Sequence, residues 1–171
     1  FLGAKPRGEG FVISAAEAAG LLKLDARNAE VVFPYLGGSD YCDSPTQSTQ
    51  RYVIWFGDMD ERQARRYPGP FDIVLDRVEP VRAKTSVKKL REQYWRFEAP
   101  ARQLRESVAN LPRAIGLARV AKHLCPAFID TEQVVNEKMV VVASDDPFLL
   151  GVLSSVVHVA WLERWGATMR N

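Results

Sequence analysis

The side chains best suited to covalent or metal chemistry are few and scattered. His123 and His158 are the only histidines among 171 residues, and Cys42 and Cys125 the only cysteines. No CxxC pair is present, so neither a metal site nor a disulfide scaffold is expected. Both thiols are expected to be reduced, as in a cytoplasmic protein. His158 lies in the apolar last stretch, where a satisfied core or helix-surface histidine is the expected role. His123 follows Lys122 and has no acidic cluster beside it, so it is a poor base or ligand, although it can donate hydrogen bonds. No Ser/His/Asp or Cys/His set stands at a recognisable spacing.

Nucleotide-binding chemistry fares no better. Gly8-Glu-Gly10 lacks a third glycine in register and runs into a helix start, and no GxxxxGK[ST] segment exists. Asp145-Asp-Pro-Phe148 has the outline of the polar-Pro-Pro-aromatic loop that holds a flipped base, but it lacks the second proline. Its Asp and Pro fit the cap and first turn of a helix better. The chain is therefore expected to carry no catalytic residue, no cofactor site and no metal.

What remains is charge. The formal net charge is only +2. Residues 77–123 nevertheless hold twelve Lys or Arg against four Asp or Glu, and the rest of the chain is net acidic. A basic block in an otherwise acidic domain is the footprint of a polyanion-binding face, or else a solvated helix surface. Its densest run contains Lys84, Lys88, Lys89 and Arg91, the candidates for phosphate contacts. Arg96 and Arg119, each beside a core segment, could touch a polyanion or brace a loop. Arg51, which begins a core strand, is read as half of a structural salt bridge.

The elements that must position these residues read as one α+β domain, with a twisted, mostly antiparallel or mixed sheet packed by several helices. Ser14-Ala-Ala-Glu17 is a capping box that predicts a helix from about Ala15 to Leu22. Glu30 to Pro34 reads as a strand ended by proline, Gly37 to Gln50 as a loop, and Arg51 to Phe56 as a buried strand. A short helix is expected over Asp60 to Arg66, stopped by Pro68-Gly-Pro70. A helical pattern then runs from Phe71 to Trp95 with an interruption at Pro80. Tyr94, Trp95 and Phe97 could form a stacking surface, but aromatics at this spacing are more often core. Pro100 opens a helix with Leu104 and Val108 on one face, ended by Pro112. Strands are expected at Ala114–Val120, Pro126–Ile129 and Lys138–Ala143, and one last helix from Asp146 to about Trp165. The longest apolar stretch, Phe148 to Trp161, is broken by Ser154, Ser155 and His158, so no membrane span is expected.

Read in order, these segments resemble the target recognition domains of MmeI-like, type IIL restriction–modification enzymes and related adenine-specific DNA methyltransferases. The resemblance runs through Phe1-Leu-Gly-Ala-Lys5, Gly10-Phe-Val-Ile13, Val32-Phe-Pro-Tyr-Leu-Gly-Gly-Ser-Asp40 and Arg51-Tyr-Val-Ile-Trp-Phe56. It continues through Tyr67-Pro68, Val81-Arg82, Gln93-Tyr-Trp-Arg-Phe97, Ala118-Arg-Val-Ala-Lys-His123, Pro126-Ala-Phe128, Gln133-Val134, and from Phe148 to His158 and Trp161. No one of these motifs is specific; the ordered set is. Two segments depart from the family: Tyr94-Trp95 stands where members often have two tryptophans. Ala121 to Cys125 stands where many have a Ser-x-Arg-like run, so the recognised sequence cannot be carried over.

The resemblance implies that residues 1–171 form a double-stranded DNA recognition domain. It implies a methyltransferase domain before Phe1 in the same parent chain, using S-adenosylmethionine to modify a flipped adenine, and a short tail after Asn171. Lys122, His123 and Gln133, on turns matching the family's specificity region, are the expected base readers, since Lys can donate to guanine and Gln can pair with adenine. The competing readings are a non-catalytic protein–protein assembly domain with a basic docking face, and a small enzyme with a dispersed site.

Overall fold

The computed structural model describes residues 1–44, 46 and 49–166. A 3-10 turn (Glu9–Phe11) leads into β1 (Val12–Ser14) and α1 (Ala15–Leu24). The capping box forms as expected: Ser14 Oγ accepts from the Glu17 N–H at 3.2 Å, and Glu17 accepts from the Ser14 N–H at 2.8 Å. After a second 3-10 turn (Ala26–Glu30) come β2 (Val32–Leu36), α2 (Gly38–Asp43) and β3 (Arg51–Ile54). Four short helices follow: α3 (Glu61–Ala64), α4 (Pro68–Arg77), α5 (Glu79–Ala83) and α6 (Lys88–Glu92). The chain continues through α7 (Arg102–Val108), β4 (Arg113–Ala118), β5 (Ala127–Asp130), β6 (Val134–Val135) and β7 (Met139–Val142). It closes, among the described residues, with α8 (Pro147–Leu153) and α9 (Val156–Trp165).

Two sheets organise the domain. The first has the order β1-β3-β2-β6, antiparallel except for the parallel β2–β6 pair; the second is the antiparallel set β5-β4-β7. Each has its own core. Phe11, Ile13, Val53, Ile54, Phe71 and Val74 bury the first sheet against α1 and α4. Leu36, Tyr41, Leu104, Ile129, Met139 and Val141 fill the second core, between α2, α7 and the second sheet. The amino-terminal segment stitches the two together: Ala4 donates to Val135 of β6 at 2.6 Å, and Gly3 donates to Met139 of β7 at 3.2 Å. Gly3 is required there, because a Cβ would lie 2.2 Å from the Asn136 carbonyl oxygen.

The α+β class holds, with several local corrections. Pro34 does not end β2. Trp55 donates to the Val31 carbonyl, and the register pairs Phe33 with Val53. Hydrogen-bonded pairs therefore fall at Val31 and Phe33, and the missing N–H of Pro34 faces away from β3, on an edge where β6 pairs only from Tyr35 onward. The expected loop from Gly37 contains α2, because the Asp40 carboxylate accepts from the Gly37 N–H at 2.9 Å and Tyr41 is buried. Pro45, Gln47 and Ser48 of that loop lie outside the described residues. Pro68, expected only to stop the helix before it, opens α4; the expected break at Pro80 forms at Val78, with Pro80 in the first turn of α5, where no N–H is needed from it. The last helix breaks in two with a 47° bend. At the break Ser155 accepts from the His158 N–H at 3.2 Å and so caps α9. Among the described residues, no single helix is long and apolar enough to cross a membrane.

Candidate nucleic-acid interface

Lys122 and His123 sit side by side on the connection between β4 and β5, and both are exposed. Among the described residues neither side chain has a hydrogen-bond or ion-pair partner. Arg119, also exposed, starts the connection and donates its backbone N–H to Lys138 at 2.8 Å. That bond brings the exposed Lys138, on the turn between β6 and β7, to the same end of the second sheet. Lys138 was missed by sequence reasoning: one lysine at the start of an apolar strand carries no signal. The base of the loop is anchored from α2, where the Tyr41 hydroxyl lies 2.7 Å from the Gly116 carbonyl and 2.5 Å from that of Cys125.

Gln133 is not in this group. It precedes β6, beyond the far end of β5, and is 9% exposed. It lines a cavity with Arg105, Val134 and Val135. The turn was placed correctly, but the pull of its apolar neighbours Val134 and Val135 into the sheets carries the amide inward. The structure therefore brings Lys122 and His123 together and leaves Gln133 apart.

The second cationic surface rises from α5 and α6. Lys84 caps α5, and Lys88, Lys89 and Arg91 project from α6 while Leu90 turns into the core. Lys88 makes an exposed i,i+4 pair with Glu92 at 3.6 Å, worth little in water. Arg91 donates to the Thr85 carbonyl at 2.6 Å. Lys84 and Lys89 have no side-chain partner among the described residues.

Beneath this surface lies Arg82, only 3% exposed. Its guanidinium donates to the carbonyls of Tyr94 (2.9 Å), Arg96 (2.5 Å) and Pro6 (2.5 Å), and stands 4.9 Å from the Phe11 ring centroid. Burial pulls its pKa down to about 10, which still leaves it charged at neutral pH. Sequence reasoning did not single Arg82 out from the basic block; its neighbour Val81 is 67% exposed.

The rest of the basic block divides the same way. Arg77 pairs with Glu17, and Arg102 with Asp58. Arg96 donates to the Met59 carbonyl at 2.8 Å and 3.0 Å and to that of Asp58 at 2.6 Å, so it braces the β3–α3 turn. Arg105 stacks over Trp55 at 4.6 Å and Phe33 at 5.3 Å, and burial lowers its pKa. Arg113 covers Phe128 at 3.7 Å. Arginine, whose planar fork suits carbonyls and rings, supplies the frame at Arg82, Arg96 and Arg105, while the lysines of the block, with Arg91 and Arg119, are left outside. Trp95 and Phe97 are core, as weighed, and Arg51 is ion-paired with Asp40. His158 is half-buried, its Nδ1 2.8 Å from the Leu153 carbonyl. Among the described residues, no three His, Cys, Asp or Glu side chains cluster as metal ligands would.

A two-sheet α+β domain that anchors a cationic loop at its base and sets lysines on a braced ridge has the build of a recognition module. The chain belongs to the family of MmeI target recognition domains, whose model matches residues 1–171. The type IIL restriction–modification enzyme MmeI, solved in complex with DNA, has the same fold: the TM-score is 0.76, with 16% identity over 98% of this chain and 22% of that one. This chain thus spans about a fifth of the enzyme it matches. No curated protein matches it.

Proposed function

We propose that this domain reads a specific double-stranded DNA sequence for a site-specific adenine methyltransferase, in restriction–modification or a related phage defence. Methyl transfer then belongs to a separate S-adenosylmethionine-dependent domain of the same cytoplasmic polypeptide. This domain's task is to decide which adenine is presented. The observation that carries the reading is the pair Lys122–His123, two exposed donors without partners among the described residues, on a loop anchored at both ends. Such donors reach base edges in a major groove, while Lys84, Lys88, Lys89 and Arg91 attract phosphates without reading sequence. Arg119 and Lys138 flank the loop and suit the adjoining backbone.

The helix pair α8–α9 supports the second partner, the methyltransferase domain. Phe148, Val152, Val156, Val157, Trp161 and Trp165 are all exposed, and neither helix has a buried residue. So much apolar surface on one helix pair suits a contact with the rest of the polypeptide.

The test is methylome sequencing of a host expressing the full-length parent, beside one expressing the parent with Lys122 and His123 replaced by alanine. A single adenine-methylated motif that changes or relaxes in the variant is the expected outcome, with a cost of about 1–3 kcal/mol at the affected base pair. A soluble parent that methylates nothing would favour an assembly domain, and an unchanged motif would remove the reading role from this loop.

A further inference from the structure

We infer that Tyr41 is a positioning residue for sequence discrimination: its hydroxyl fixes both ends of the β4–β5 loop to α2 and so sets where Lys122 and His123 meet a base pair. The inference rests on the reading of that loop given above. Gly116 is the last β4 residue paired with β5, opposite Ala127, and Cys125 lies near the end of the connection, two residues before Ala127. Their carbonyls are the two acceptors within 2.7 Å of one phenol. That phenol has a single proton to share between them, so the two chain ends are drawn to one point. The ring is 4% exposed and packs in the second core. Burial pushes its pKa up to about 12, which keeps the hydroxyl a donor across the working pH range.

The helix that carries Tyr41 is itself held from the other sheet. Asp40, its neighbour, receives the Gly37 N–H and forms an ion pair with Arg51, the first residue of β3. Gly37 admits this arrangement because any Cβ there would lie 2.5 Å from the Arg51 guanidinium. A line of contacts therefore runs from the first sheet through Arg51, Asp40 and Tyr41 to the loop of the second. Beyond the clasp, the Lys122 and His123 side chains have no hydrogen-bond or ion-pair partner among the described residues. Their placement then depends on the loop ends. A donor displaced by an ångström loses the geometry of a base-edge bond but keeps most of its attraction to phosphate. Releasing the clasp should therefore erode discrimination more than affinity.

The experiment uses the full-length parent with Tyr41→Phe, which keeps the ring in its core and deletes the hydroxyl. Methyl-transfer kcat/KM is measured on the duplex carrying the parent's own motif and on duplexes with one base pair changed, alongside Lys122→Ala and the double variant. We expect the cognate-to-variant ratio to fall about threefold to tenfold in Tyr41→Phe, the scale of one neutral hydrogen bond. Little further fall is expected when Lys122→Ala is added. Asp40→Asn, which loosens α2 without touching the second core, is expected to move the ratio the same way. A merely structural role would lower all duplexes alike and leave the ratio unchanged. An unchanged ratio in Tyr41→Phe and Asp40→Asn beside a changed one in Lys122→Ala overturns the inference alone. A ratio unmoved by all three overturns the loop assignment as well.

Discussion

Lys84, Lys88, Lys89 and Arg91 rise from two short helices pinned from below, whereas Lys122 and His123 ride on a loop held only at its ends. Under the helices, Arg82 ties the Pro6 and Tyr94–Arg96 segments to one guanidinium, and Leu90 anchors α6. At the base of the loop, among the described residues, stand one phenol and the backbone bond from Arg119 to Lys138. The difference matches the task proposed for each surface. Attraction to phosphate falls slowly with distance, so a ridge of lysines needs only to be present. A base edge must be met at hydrogen-bond distance and angle, so the loop needs defined ends and a tip that can adjust.

Three measurements would break or sharpen that contrast. The largest effect is expected from Arg82→Ala, which strands several buried carbonyls and removes the packing against Phe11. Urea unfolding should show a loss of about 2–4 kcal/mol; a loss below ~1 kcal/mol would mean that the ridge is not supported from beneath. Lys89→Ala should leave stability unchanged and weaken binding of the parent to all duplexes alike, reducing the slope of log affinity against log salt by about 1. If instead it altered preference between sequences, the division of labour between ridge and loop would fail.

The smallest effect concerns Glu17, which ties α1 to Arg77 at the end of α4. The Ser14 backbone N–H and the Arg77 guanidinium hold its pKa down to about 2, from an ordinary 4.5. Because the folded value is the lower one, its contribution is complete above pH 4.5 and disappears as pH falls toward 2. The carboxylate is partly solvated, so Glu17→Gln should cost at most about 0.5–1 kcal/mol at pH 7, with the difference closing by pH 2. A large cost at pH 7 that closes by pH 2 would show that surface pairs, and not the buried Arg82 alone, secure this half of the molecule, whereas a pH-independent cost would show that the charge of Glu17 is not what holds α1 to α4.

Much of the fold was legible because it rests on local rules. The Ser14–Glu17 box, Asp60 and Asp146 as caps, and the apolar strands at 51–54 and 139–142 declare themselves within a few residues. What could not be read depends on distant partners. Val134–Val135 is a two-residue strand only because Tyr35 and Leu36 lie alongside it. The fate of each cation was equally hidden: Arg82 and Lys84 look alike in a basic run, and only the convergence of Pro6, Tyr94 and Arg96 on one point makes the first internal. Lys122 and His123 emerged as neighbours because they are adjacent in the chain. Tyr41 did not, because its bonds join residues 75 and 84 positions away.

Pro34 has a consequence for how this chain behaves before it is fully folded. Sheet edges invite foreign strands through their free N–H groups, and β2 is covered beyond β3 only along Tyr35 and Leu36. At the next position toward its amino end the donor is missing altogether, so an extended segment laid along that edge finds a gap in the ladder. In a protein that leaves Phe148, Trp161 and Trp165 in water until they find cover, that gap would restrain runaway strand pairing. Pro34→Val would close it, and the expected price is precipitation during refolding.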